Sequence, residues 1–233
     1  MLEVKELYKS FNHNRKRRGE TPVAGVSFSV GDGEIVGLTG KSGAGKSTIA
    51  RLLCGTLTAD SGDVRFEGEV LIGAGKRYHH GLGRRIQLIP QQPFAALDPR
   101  QRLGDALTEP LLCHNLVKNR RDAEERVREL LKQVWLDEDI LGRLPSQVSG
   151  GQAQRIVIAR ALAVEPRLLI ADEATSMLDV SAQAQIFGIF RRLAGEQGIS
   201  LLLISHDPAL MRAAAKRRYH LAEGRLAEIT GET

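Results

Sequence analysis

Short apolar runs alternate with stretches of helical spacing along most of this chain. Glu34 to Thr39 reads as a strand that ends in a glycine-rich turn, and a helix is expected from about Lys46 to Cys54. Arg85–Ile89, Arg167–Ala171 and Ile199–Ile204 are three more expected strands. The last two are almost continuously apolar, the pattern of strands covered on both faces of a parallel sheet. The first thirty residues and Gly62 to Leu71 read instead as a turn-rich antiparallel sheet. From about Asp98 to Leu162 the period becomes helical. Within Asp122–Trp135, the positions Ala123, Val127, Leu130, Leu131 and Val134 fall on one face, with charge on the other. A further helix is expected over Gln152–Ala163, with Ser149 as its N-cap. The pattern is an α/β core interrupted by a helical insertion, without internal repeats or low-complexity linkers.

Composition narrows the class without naming a function. The 233 residues are 42% hydrophobic and 26% charged, which excludes a disordered or collagenous chain. The length suffices to bury a core without staples. The net charge of +5 favours an anionic partner, yet nucleotide, nucleic acid and lipid all qualify. Cys54 and Cys113 stand in unrelated contexts and read as two reduced thiols of a cytosolic protein. Met1–Lys5 has neither the basic start nor the apolar stretch of a signal peptide. The longest apolar runs fall far short of the ~20 residues that cross a bilayer. The basic clusters Arg15–Arg18, Lys118–Arg121 and Lys216–Arg218 carry no interleaved aromatics, so they read as solvated faces rather than a nucleic-acid surface. His79-His80 is a thin metal motif, with no partner at ligand spacing.

Three motifs carry the chemistry. Gly40-Lys41-Ser42-Gly43-Ala44-Gly45-Lys46-Ser47 fits GxxxxGK[ST] between an expected strand and an expected helix. Such glycines let successive N–H groups face one anion, and the helix start adds its positive dipole end. Lys46 would reach the β- and γ-phosphates of ATP, and the Ser47 hydroxyl would ligate Mg²⁺. Leu168–Glu173 is an apolar strand ending in two carboxylates that point to opposite sides. Asp172 is placed to hold Mg²⁺ through its water shell, and Glu173 to polarise a water as general base. Ser149-Gly150-Gly151-Gln152 opens the second strong helix with two glycines, leaving amides clear for a phosphate. Two phosphate-seeking helix starts in one chain suggest two chains arranged head to tail, each closing over the other's nucleotide.

Together these motifs resemble the ATP-binding subunit of ABC transporters, over essentially the whole chain. Gly40–Thr48 resembles the Walker A loop, which makes Gly40, Ser42, Gly43, Gly45, Lys46, Ser47 and Thr48 nucleotide contacts. Leu168–Glu173 resembles the Walker B strand, with Glu173 catalytic. Val148–Gln152 resembles the signature, here VSGGQ, so Ser149, Gly150, Gly151 and Gln152 would meet nucleotide. Ser176–Asp179 is similar to the D-loop, with Asp179 at the nucleotide, and His206 to the switch histidine. Phe11 stands where the family stacks an aromatic on adenine. The Q-loop glutamine is Gln91 or the adjacent Gln92, and on the first assignment Gln91 is both a catalytic residue and a Mg²⁺ ligand. Ala174 replaces a common proline, and Gln92-Pro93 replaces Asp-Pro.

The resemblance implies a P-loop NTPase (RecA-like) α/β core, about 1–96 and 163–233, with an antiparallel β subdomain and a helical subdomain at about 97–162, all one ABC ATPase domain. Pro90–Arg100, Glu109-Pro110-Leu111 and Asp179–Ile186 are similar to the peptide and nickel importer subfamily. The stop at Thr233, soon after the last expected strand, favours the nickel or metal-chelate branch over peptide. The implied partners are permease subunits, a second ATP-binding subunit (a distinct one, or a copy of this chain) and indirectly a solute-binding protein, with no nucleic acid. The implied place is the cytoplasmic face of a bacterial inner membrane. The alternatives are the ATPase of an exporter or lipoprotein-release complex, and a soluble ABC ATPase. The latter usually carries a long coiled coil or a second cassette, and neither is here.

Overall fold

A computed structural model describes residues 1–11, 20–73 and 78–229. In chain order they form β1 (Leu2–Phe11), β2 (Glu20–Val30), β3 (Ile35–Gly40), α1 (Lys46–Leu53), β4 (Ser61–Phe66), β5 (Glu69–Ile72), α2 (His80–Gly83) and β6 (Ile86–Ile89). After these come α3 (Leu103–Cys113), α4 (Arg120–Gln133), α5 (Gly150–Leu162), β7 (Leu168–Asp172) and α6 (Val180–Gln197). The chain continues through β8 (Ser200–Ile204), α7 (Pro208–Ala214), β9 (Arg217–Ala222) and β10 (Arg225–Ile229). It divides into two compact units. The first holds Met1–Leu88, Arg167–Glu173 and Ala194–Thr233, the second Ile89–Pro166 and Ala174–Leu193.

Two sheets build the first unit. One is four-stranded and antiparallel in order β2-β1-β4-β5, the other six-stranded in order β10-β9-β3-β8-β7-β6. In the larger sheet β3 runs parallel to both β8 and β9, and β7 parallel to β8. β7 and β8 are buried along nearly their whole length, as their unbroken apolar runs require. Leu38, Ile49, Leu52, Leu53, Phe66 and Leu202 lie in one buried cluster that joins both sheets to α1. Fully burying one such side chain stabilises the fold by about 1.5–3 kcal/mol.

The second unit is helical. α3 buries Leu103, Leu107 and Leu111, and α4 buries Ala123, Val127, Leu130 and Leu131, the face that the spacing predicts. α4 starts two residues earlier than the spacing suggests, because the Asn119 side chain caps it by accepting from the Asp122 N–H at 3.0 Å. α6 is the helix that the pattern reading misses, although Ile186, Ile189, Phe190 and Leu193 are buried at helical spacing. The pattern reading also misses the β9–β10 hairpin. Its turn puts Glu223 and Gly224 at φ 50 and 75, the pair of positive values that a two-residue hairpin loop demands.

The basic clusters do not all behave as expected. Lys118–Arg121 is exposed, as a solvated face should be. Arg217 and Arg218 are instead half-buried strand residues, and Arg217 lies 3.2 Å from Glu34 and also donates to the Ser29 hydroxyl. Arg15–Arg18 lies outside the described residues. His79-His80 is not a metal pair: His79 Nδ1 accepts the Leu82 N–H at 3.0 Å and caps α2, while His80 stacks edge-on against Tyr78. No described helix is long and apolar enough to cross a membrane.

Candidate nucleotide site

The parallel strands of the first unit bring three motifs to one end of the sheet. β3 runs into the glycine loop, β7 ends on Asp172-Glu173, and β8 ends just before His206. Register does the placing. Leu38 and Asp172 both pair with Ile204, the Ser205 N–H donates to Leu38 O at 3.3 Å, and the Glu173 N–H donates to Ile204 O at 2.9 Å. Carboxyl ends of parallel strands are where such sheets bind ligands.

Glycine is obligatory at two points of the loop. Gly40 has φ 152, and a Cβ there would stand 2.5 Å from Leu221 O; Gly45 has φ 108, and its Cβ would meet Pro22 O at 2.1 Å. Gly43 also has positive φ but opens onto free space. Lys46 starts α1 and is 5% exposed. Its ammonium donates to Gly40 O at 2.9 Å and Lys41 O at 3.0 Å and lies 3.6 Å from Glu173 Oε1, one acceptor for each of its three protons. Ser47 hydrogen-bonds the Asp172 carboxylate. Thr48 lies in the first turn of α1, and Ser42 is exposed at the loop tip.

Glu173 stands between Lys46 and His206. Its Oε2 lies 3.5 Å from His206 Nδ1, opposite the Lys46 contact. Its backbone has φ 50, a left-handed conformation that costs a non-glycine residue about 1–3 kcal/mol and that gathers at functional sites. Burial raises the pKa of Asp172, and the charge of Glu173 pushes the same way against the Ser47 hydrogen bond. Its Oδ1 is buried without a hydrogen-bond partner among the described residues. An orphaned carboxylate oxygen beside a serine hydroxyl, all hard oxygen donors, fits a divalent cation such as Mg²⁺. A cleft of about 460 Å³ beside the loop is lined by Lys41, Arg212 and Arg218 together with the apolar Pro208, Met211 and Ile229, so cations are present at one side of a partly apolar wall. Phe11, the last residue of β1, is 40% exposed with Lys9 Nζ 5.8 Å from its ring centre. Cys54, just past α1, has its thiol pushed up to about 12 by burial, so it stays protonated and inert.

The remaining expected residues belong to the second unit. Gln91 donates to the Ser176 hydroxyl at 3.1 Å, while Gln92 starts the short turn Pro93–Ala96. Ser149 and Gln152 form a reciprocal capping box. The Gln152 N–H donates to Ser149 Oγ at 3.2 Å, and the Ser149 N–H to Gln152 Oε1 at 3.1 Å. The two glycines between them admit a close neighbour. A Cβ on Gly151 would lie 2.9 Å from Ala182 Cβ, and one on Gly150 3.4 Å from Leu178. Asp179 caps α6, its Oδ1 accepting the Ala182 N–H at 2.8 Å.

Known proteins place this geometry. The family described as ABC transporter matches residues 23–176. This chain belongs to the ABC transporter family. It is 40% identical over 229 residues to the "Oligopeptide transport ATP-binding protein OppF" of Streptococcus mutans, covering 98% of this chain and 74% of that one. It is 45% identical over 219 residues to the "Glutathione import ATP-binding protein GsiA" of Pectobacterium atrosepticum, covering 93% of this chain and 34% of the relative. Among solved structures, the dimeric post-hydrolysis ATP-binding cassette MJ0796 bound to ADP and Pi superposes with TM-score 0.86 at 26% identity, over all of both chains. The ABC chain is thus an ATPase with a P-loop NTPase α/β fold, as the motifs predict.

Proposed function

We propose that this ABC ATPase powers a peptide importer: it binds Mg-ATP, closes with a second ATP-binding subunit and drives a membrane permease. The observation that carries the reading is the chain Lys46–Glu173–His206, with contacts of 3.6 and 3.5 Å at the end of the glycine loop. Lys46 would trade its two carbonyl partners for phosphate oxygens, which bear charge and therefore bind an ammonium more strongly. Turning to phosphate would also draw the ammonium away from Glu173, leaving that carboxylate to accept a proton from the attacking water, while His206 would hold the carboxylate and meet the γ-phosphate. Ser47 and Asp172 would hold Mg²⁺, which neutralises phosphate charge when bound. Phe11 would stack on adenine, Gln91 would reach toward the Mg²⁺ site, and Ser149–Gln152 with Asp179 would serve the nucleotide of the opposing subunit.

Peptide, rather than nickel or a metal chelate, is proposed as the solute because relatives similar over most of this chain are named for oligopeptide and glutathione transport. The groove of about 880 Å³ along Ala95–Arg102, with Asp98, Arg100, Asp105, Glu109 and Arg160, offers both charges to a permease helix. Attachment to the inner face of the membrane would then run through the permease, and a solute-binding protein would act on its far side. Steady-state hydrolysis with equilibrium nucleotide binding tests the site. Glu173→Gln should bind ATP as the parent does and lose at least about 10²-fold in turnover, and Lys46→Ala should lose binding. Parent-like turnover in Glu173→Gln would overturn the base assignment. Copurification with a permease pair and a solute-binding protein supports import, and an exporter or lipoprotein-release partner would refute it.

A further inference from the structure

The signature helix is anchored from behind by an arginine outside the expected motifs. Arg155 lies six residues past Ser149 on α5, and its guanidinium takes two carbonyls at once. Nε donates to Gly151 O at 3.3 Å, inside the signature turn, and Nη1 donates to Trp135 O at 2.8 Å. The second carbonyl is itself fixed in place. Trp135 holds φ 55, a left-handed conformation rare for a bulky residue. Its ring lies against α6, where a Cβ on Gly188 would come within 2.5 Å of Trp135 Cη2. Arg192 of α6 stacks over the same ring at 5.5 Å and donates to Gln133 O. The signature turn also approaches the first turn of α6, where a Cβ on Gly151 would lie 2.9 Å from Ala182 Cβ, next to the Asp179 cap.

We propose that Arg155 is a positioning residue for ATP turnover: clamped between Trp135 O and Gly151 O, it fixes the signature turn relative to α6. The proposal rests on the reading above, in which that turn meets a nucleotide bound at the Lys46 loop of an opposing subunit. Arg155 touches no reacting atom in this account. It sets where the Ser149–Gly151 amides point. A planar fork holding two carbonyls suits that task, since its donors are fixed relative to one another. Gly188 belongs to the same device, because only a bare Cα leaves room for the indole.

Nucleotide affinity at the chain's own Lys46 loop and kcat separate this role from simple loss of structure. Arg155→Met, which keeps length and removes both donors, should lower kcat at least tenfold while ATP affinity stays within twofold and the unfolding midpoint barely moves. Arg155→Lys, able to reach one carbonyl at a time, should recover part of the rate. Gly188→Ala displaces the indole without touching Arg155 or the signature, and it should reproduce the kcat loss even where Arg155→Met folds poorly. Parent-like kcat in both Arg155→Met and Gly188→Ala would overturn the proposal, as would a fall in kcat matched by equal losses of ATP affinity and thermal stability. A parent without turnover would overturn the ATPase mechanism as well, whereas a working parent matched by both variants would overturn this inference alone.

Discussion

Gly45 shows most sharply how one residue type decides the nucleotide loop. Its φ of 108 lies where side chains strain, and the carbonyl of Pro22 stands 2.1 Å from the place a Cβ would occupy. A main-chain oxygen in a paired strand cannot swing aside as a flexible side chain can. Gly45→Ala should therefore cost at least about 1–2 kcal/mol from backbone conformation alone, and it should abolish ATP binding. Urea titration and equilibrium binding check both. Gly43 has positive φ but no atom within 4 Å of its Cβ position, so alanine there should be milder on both counts. Glu173 makes the same point from the other side, as a carboxylate held at φ 50 because Ile204 O takes its N–H and β8 fixes where that oxygen lies.

At the scale of elements, polar side chains decide where strands and helices begin and which loops they hold. Asp60, just before β4, accepts from Lys9 Nζ at 2.6 Å and from the Ser10 N–H at 2.8 Å, tying the end of β1 to the approach of β4. The Lys9 hydrogen bond, helped by the Ser10 N–H, holds the Asp60 carboxyl below its usual range. A carboxyl depressed on folding adds stability above its unfolded pKa and loses it as pH falls through its folded one. Asp60→Asn should thus be less stable than the parent at pH 7 by under about 1 kcal/mol, the scale of a half-exposed pair. The gap should close as pH falls below the ordinary carboxylate range. Chemical denaturation of both chains across pH checks it, and a gap that widens in acid would reverse the sign. The four-residue α2 is set the same way, by a histidine cap in place of the metal that His79-His80 had suggested.

For the whole molecule, the proposal to test is that two helix starts serve one nucleotide. Lys46 sits in one compact unit and Ser149 in the other, and the proposed clamp draws them from different subunits. Mixing two inactive chains tests that arrangement directly. Lys46→Ala should fail to hold ATP, and Gly151→Asp puts an anion at the signature turn where Ala182 leaves no room. Each chain alone should be inactive. A mixed dimer contains one site with an intact loop from one chain and an intact signature from the other, so a 1:1 mixture should regain roughly a quarter of parent activity on statistical pairing. No recovery from well-folded chains that do pair would place both motifs in the same subunit. If the natural partner is a distinct ATP-binding subunit, the same crossing of variants applies between the two.

The sequence by itself determined the glycine loop, the paired carboxylates, the signature turn and the histidine that follows the buried β8 strand. Each is a local pattern whose meaning depends on neighbours a few residues away. It also determined the helical face of α4 and the doubly buried strands, because periodicity is written residue by residue. Tertiary structure alone decided what those motifs do to one another. The Lys46–Glu173–His206 contacts depend on strand order and register, which no spacing encodes. Gly188 and Gly151 look like ordinary helical glycines until Trp135 and Ala182 arrive against them from distant segments. The pattern reading misses α6 although its apolar spacing is present, and the β9–β10 hairpin hides behind a basic run in which Arg217 turns to Ser29 and Glu34. A charged side chain advertises water until folding supplies a partner, and the partner is a property of the whole chain.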